Sequence, residues 1–163
     1  MLLYVMQHGE AYSKDEDPER PLTAGGRQTA TDIGHWMHGG SVTVETILHS
    51  PKLRARETAE QIQAVYPDAG LESWAQLGPD GAVDGFVLDL ASAPGNAILV
   101  VGHMPFVQRL TGRLLADDEN EALVRFSPGA VICLERNGLD QIPLSYYAGG
   151  WKVRWMLSPE LLA

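Results

Sequence analysis

Three short stretches of this chain carry side chains suited to holding a small anion: "MQHGE" at residues 6–10, "HSPKLRA" at 49–55 and "VVGHMP" at 100–105. Arg54 lies about four positions after Ser50, a residue able to cap a helix, and so stands near unpaired amide groups and the positive end of a helix dipole. A helix start with an arginine is a ready phosphate site, because the guanidinium fork can hold two oxygens at once. His8 and His103 each follow an apolar run, and two histidines placed alike are harder to assign to solvent than one. Gly9 permits a ligand to approach the backbone closely, or a positive φ that a side chain would hinder. Arg56 lies roughly 200° around a helix from Arg54, so it faces away and suits a surface pair with Glu57 or Glu60.

Residues so far apart in sequence can meet only if the fold brings their strand ends together. Residues 2–6 and 96–102 are continuous apolar runs, as expected of strands covered on both faces, and 45–50 is a shorter third. Helical spacing lies between them. One helix is predicted after Thr23 as N-cap, with Ala30, Ile33 and Met37 inward, ending at Gly39 and Gly40. A second starts at Ser50 and Pro51 with Ala55, Ala59, Ile62 and Tyr66 inward, a third follows "GHMP" with Phe106, Leu110 and Leu114, and a weaker one falls within 80–92. This alternation predicts a largely parallel sheet with helices on both faces, and ligands of such sheets bind beyond the carboxyl ends of the strands. "AVICLER" and "WKVRWML", joined by a turn-rich stretch, predict an antiparallel piece near the end.

Composition bounds the possible functions. The chain has 163 residues, 45% hydrophobic and 20% charged, which fits one domain over 1–163. Twelve basic against 21 acidic residues give a net charge of −9, which argues against nucleic acid and anionic membrane as partners, while a pocket can still gather a few arginines. Cys133, the single cysteine, reads as a small apolar strand residue. The N-terminal apolar run is too short for a signal peptide and lacks a basic leader, so a cytoplasmic protein is expected, as monomer or weak dimer. His35 and His38, at i and i+3, are assigned to an exposed helix end rather than to a metal, His49 to the pocket rim, and the four tryptophans to packing.

"QHGEA", "RPLTAGG", "SPKLRARETA" and "VGHMP", in that order and over most of the chain, resemble the histidine phosphatase superfamily, which contains the phosphoglycerate mutases. The small size, with no insertion between the second and third junctions, is similar to its short bacterial SixA-type branch, the phosphohistidine phosphatases. The resemblance implies a three-layer α/β/α sandwich, with a largely parallel central sheet, one antiparallel strand and a phosphate pocket at the strand ends. It further implies that His8 attacks phosphorus to form a phosphohistidine later released by water, and that Arg54 and His103 bind the non-bridging oxygens. No cofactor or metal is implied, since these side chains supply the electrostatic stabilisation.

The family pattern has an arginine before the nucleophile, where this chain has Gln7. A neutral amide in place of a charged donor forfeits about 1–2 kcal/mol, or roughly one order of magnitude in rate. Arg20 in "DPERPLT" belongs to the loop similar to the one closing over phosphate, with Pro18 and Pro21 expected to keep it extended; a surface pairing with Glu16, Asp17 or Glu19 is its other reading. Substrate contacts are thus expected from Gln7, Gly9 and Arg20. No carboxylate is an unmistakable general acid: Asp80 is the best positional candidate, with Glu10 and Asp84 behind it. That favours a phosphoramidate substrate, whose imidazole leaves more easily than an alkoxide. The expected activity is therefore dephosphorylation of phosphohistidine in a protein such as a phosphotransfer domain, with the acidic loop at 14–19 able to favour a partner of basic surface. A small-molecule phosphomonoesterase and a non-catalytic phosphate-binding module are the alternatives.

Overall fold

A computed structural model describes residues 1–90, 92–136 and 150–162. The chain forms β1 (Leu2–Gln7), α1 (Ala24–Gly39), β2 (Thr46–His49), α2 (Leu53–Val65), β3 (Gly70–Ser73), α3 (Val83–Leu90), β4 (Ala97–Gly102), α4 (Phe106–Ala116), β5 (Val131–Arg136) and β6 (Trp151–Leu157). One sheet of order β3-β2-β4-β1-β5-β6 contains all six strands. β1, β2, β3 and β4 run parallel; β5 is antiparallel to both β1 and β6, so it alone opposes the rest.

The apolar runs take this form because each strand is covered on both sides. Along β1 the side chains alternate: Leu3 and Val5 pack with Phe86, Phe106, Leu110 and Leu114 of α3 and α4. Tyr4 and Met6 pack with Ile33, Met37, Ala59 and Ile62 of α1 and α2. The period of two in the strands is what makes a three-layer α/β/α sandwich, and continuous apolarity is its sequence trace. Cys133 lies in the second of these clusters, and burial pushes its thiol up to about 11.

Thr23 caps α1 by accepting from the Gly26 amide at 3.0 Å. The start of α2 differs from the expectation. Its N-cap is Lys52, without a side-chain cap, so Arg54 is the second helical residue rather than the fourth, and Ser50 lies outside the helix. The short edge strand β3 was not expected, nor the 3-10 turn at Ala75–Leu77 that follows it. "GLES" is mostly exposed and has no apolar alternation, so its pairing with β2 rests on backbone hydrogen bonds and on Leu71, which packs partly buried against the second cluster. The turn-rich connection between β5 and β6 lies outside the described residues. No described helix is long and apolar enough to cross a membrane.

The order of the strands creates the crevice. β1 and β4 are neighbours, yet the chain leaves β1 toward α1 on one face and leaves β4 toward α4 on the other. A gap opens beyond their carboxyl ends, as at any such switch point.

Close packing fixes how α1 meets the loop after β1. A Cβ added to Gly26 would collide with the Glu10 carbonyl oxygen, whereas one added to Gly39, at the far end of α1, meets nothing within 4 Å. Gly26→Ala is expected to destabilise by about 1–3 kcal/mol, from overpacking against backbone, and Gly39→Ala by less than about 0.5 kcal/mol. Urea denaturation of the two variants checks this, and equal midpoints would contradict it.

Candidate functional site

The strand ends of β1, β2 and β4 lie level, because Gln7 pairs with Gly102 and His49 with Val101. His8 and His103 therefore leave adjacent strands side by side, with ring centroids 4.9 Å apart. Arg54, from the first turn of α2, completes the group: its Nε donates to His8 Nε2 at 3.1 Å. The three residues meet around a cavity of about 330 Å³, whose lining also includes Gln7, Gly9, Glu10 and Arg20.

His8 is held by a closed hydrogen-bond circuit. Its Nδ1 lies 2.7 Å from the Gly9 carbonyl oxygen, which can only accept, so Nδ1 carries the proton and Nε2 the lone pair. The Gly9 amide donates to Thr58 Oγ1 at 3.0 Å, the Thr58 hydroxyl donates to the Arg54 carbonyl at 2.7 Å, and Arg54 returns through its Nε to His8. Gly9 itself has no room for a side chain, since a Cβ would stand 2.9 Å from the Gly26 carbonyl oxygen. From the opposite side, the Gly129 amide reaches the carbonyls of Gln7 and His8 at 3.2 and 3.1 Å, from a backbone with φ +88° that favours glycine.

Electrostatics keep both imidazoles neutral. Burial, with Arg54 and Arg20 adding to it, takes His8 down to about 4, against the opposing pull of the Gly9 carbonyl. Burial, then His8, Arg54, Lys52 and Arg20, takes His103 to about 3. Burial and Arg20 likewise lower Arg54, which still carries its charge. The terminal amino groups of Arg54 have no hydrogen-bond partner among the described residues, and neither do Gln7 Oε1 and His103 Nδ1, which are buried. Such a cavity offers two guanidiniums to the oxygens of a tetrahedral anion and, in the His8 lone pair, a nucleophile to its central atom.

Arg20 lines the cavity, but not on an extended backbone. Its φ is +52°, its amide donates to the Asp17 carbonyl at 3.0 Å, and its Nε donates to the Tyr12 carbonyl at 3.0 Å. The flanking prolines do not prevent this turn, because the bridge between Ala11 and Leu22 closes the loop into a hairpin. No ion pair of Arg20 with Glu16, Asp17 or Glu19 forms within 4.0 Å, and Glu16 is engaged by Ser13 instead. Asp80 is exposed on the turn before α3 and is not among the cavity-lining residues. Asp84 pairs with Arg113 at 2.8 Å. Glu10 is the carboxylate in the lining, accepting from the Thr23 hydroxyl at 2.7 Å.

His49 is buried rather than on the rim and is not among the cavity-lining residues, its Nδ1 2.8 Å from the Ser50 carbonyl. His35 and His38 are exposed on α1, where His38 meets Tyr66 edge-on. Arg56 pairs with Glu60 at 3.5 Å. Reading the sequence did not single out Thr58 or the partnership of Ser50 with His103; the signal for Thr58 was its spacing of four from Arg54, which suits a hydroxyl bonding back along a helix.

Two neutral histidines, His103 buried and His8 partly so, tie stability to pH with a definite sign. In the unfolded chain each titrates near pH ~6.5, and in the folded chain near 4 and 3. Between those values the unfolded state binds protons that the native state does not, so stability is full above about pH 6.5 and falls as pH falls, by up to about 1.4 kcal/mol per pH unit for each histidine. His8→Asn is expected to have a shallower loss of stability than the parent between pH 6.5 and 5 in urea titrations. Superimposable slopes would show that His8 is not held neutral.

The geometry agrees with what the chain is similar to. The SixA phosphohistidine phosphatase of Escherichia coli K12 is 29% identical over 146 residues, covering 85% of this chain and 88% of its own. An uncharacterized protein of Picosynechococcus sp. is 33% identical over 111 residues, 64% of this chain and 67% of that one. The structure of the protein histidine phosphatase SixA complexed with tungstate superposes with a TM-score of 0.78 at 26% identity, over 100% of both chains. Residues 3–78, which hold His8, Arg20 and Arg54, match the histidine phosphatase superfamily, branch 1. Strand order, paired strand-end histidines and these similarities together identify the chain as a SixA-like member of the histidine phosphatase superfamily.

Proposed function

We propose that this protein hydrolyses phosphohistidine in a partner protein, such as a phosphotransfer domain, by way of a phosphohistidine formed on its own His8. The observation that carries the reading is the bare Nε2 of His8, kept free of its proton by the Gly9 carbonyl and touching Arg54. The tungstate held by the SixA structure is a tetrahedral oxyanion, the shape of the ligand this cavity suits.

In the first half-reaction a phosphoryl oxygen draws Arg54 from His8, freeing the lone pair. Nε2 attacks phosphorus in line, the new P–N bond forms as the bond to the leaving nitrogen breaks, and the leaving imidazole takes a proton from water. Arg54, Arg20 and His103 hold the three non-bridging oxygens, and Gln7 gives a neutral amide where relatives of the family have a charge. In the second half-reaction water attacks phosphorus, the bond to His8 Nε2 breaks, and inorganic phosphate departs. The sum is phosphohistidine plus water giving histidine plus phosphate, with no metal ion or cofactor in any step.

Glu10 in the cavity lining favours a second reading, hydrolysis of small phosphomonoesters, because a carboxylic acid there can protonate an alkoxide. The two readings separate on rates with a phosphohistidine protein and with sugar phosphates at equal concentration. A preference for the phosphoprotein that survives Glu10→Gln supports the first, and loss of all activity in Glu10→Gln supports the second.

Rapid mixing with ³²P-phosphohistidine protein, followed by an alkaline quench, is expected to leave label on the enzyme, absent in His8→Ala with turnover down by about 10⁴-fold. Phosphate binding without label or turnover would reduce the protein to a binding module. Gln7→Arg is expected to raise kcat/KM about tenfold by restoring a charged donor, and a fall would show that the cavity has no room for it.

A further inference from the structure

His103 and His8 are the same residue type at equivalent strand ends, but their polar atoms face different partners. His8 turns Nδ1 to a backbone carbonyl and leaves Nε2 toward the cavity. His103 turns Nε2 to the buried hydroxyl of Ser50, at 2.9 Å, and keeps Nδ1 buried without a partner. Ser50 is fully buried, and its amide is fixed to β4 through the Val101 carbonyl at 3.1 Å. The Ser50 oxygen also accepts from the Lys52 amide at 3.3 Å. Among the described residues, the one acceptor in reach of the Ser50 hydroxyl proton is His103 Nε2.

We infer that Ser50 is a positioning residue that donates to His103 Nε2 and thereby fixes His103 as a neutral Nδ1–H donor for a phosphoryl oxygen. The alternative tautomer fails on both sides. With the proton on Nε2, the buried Ser50 hydroxyl would lose its acceptor, and Nδ1 would turn a lone pair on an incoming oxyanion. The two histidines then divide the work: a carbonyl sets one as a lone pair, and a serine sets the other as a donor. The low proton affinity of His103 fits a neutral donor and follows from the same burial. The inference rests on the phosphatase reading for the donor's purpose, while the tautomer itself does not depend on turnover.

The test begins with long-range ¹⁵N–¹H correlation spectra of the histidine-labelled full chain at pH 7, without ligand. Expected is a bare Nε2 and a protonated Nδ1 on His103; a protonated Nε2 overturns the inference whatever the activity. In Ser50→Ala the His103 signals are expected to move toward a mixture of tautomers while those of His8, held by Gly9, stay in place. Movement of both rings alike would mean that Ser50 only supports the fold, and overturns it. With a phosphohistidine protein as substrate, Ser50→Ala should lower kcat about tenfold with KM changed less than about twofold, and Ser50→Thr should recover most of the loss. Unchanged kcat in Ser50→Ala also overturns it. If the parent has no turnover at all, the phosphatase reading fails and the spectra alone decide the role of Ser50.

Discussion

The hydrogen bond from Arg54 to the bare nitrogen of His8 is the interaction on which the site depends. A guanidinium never accepts, so it can hold that nitrogen only while the nitrogen lacks its proton. Burial in a cavity that contains two arginines makes the unprotonated form the stable one, and the Gly9 carbonyl decides which nitrogen it is. In the proposed reaction the same arginine that holds the resting lone pair also meets the incoming oxyanion.

Position is secured by the register of the sheet together with a few side-chain links between its elements. β1 and β4 are adjacent and parallel, and their helices depart to opposite faces, which leaves His8 and His103 beside an open crevice. Thr58 links the β1 loop to α2, Ser50 links β2 to the residue after β4, and Gly129 fastens the end of β1 from the segment before β5. Four strands of the sheet therefore meet at one cavity. Displacing any of them by an ångström would disturb the alignment that the proposed in-line attack requires. A net charge of −9 does not oppose this, because the cationic groups are gathered at one point while the acidic residues are spread over the surface and the loop at 14–19.

The parts of this arrangement that were legible in the sequence are those set by apolar periodicity. Residues 2–6 and 96–102 read as buried strands because both faces are covered, and the stripe of Ala30, Ile33 and Met37 read as α1 because one face is. His8, Arg54 and His103 were legible because each follows such an element. What escaped was set by tertiary contact. β3 has no pattern of its own, and Ser50 looked like a cap because serine before proline usually is one, whereas here its hydroxyl faces His103. The left-handed turn at Arg20 depends on a bridge between Ala11 and Leu22, which no local signal encodes. Asp80 was favoured by chain order, and it is Glu10, two residues past the nucleophile candidate, that lines the cavity.

The most direct measurement is an experimental structure of the full chain soaked with inorganic tungstate. The expected result is one anion in line with His8 Nε2, its oxygens within hydrogen-bond reach of Arg54 and of His103 Nδ1, and Arg54 Nε no longer bonded to His8. Tungstate bound away from these three side chains, or an undisturbed Arg54–His8 pair at saturating tungstate, would contradict it.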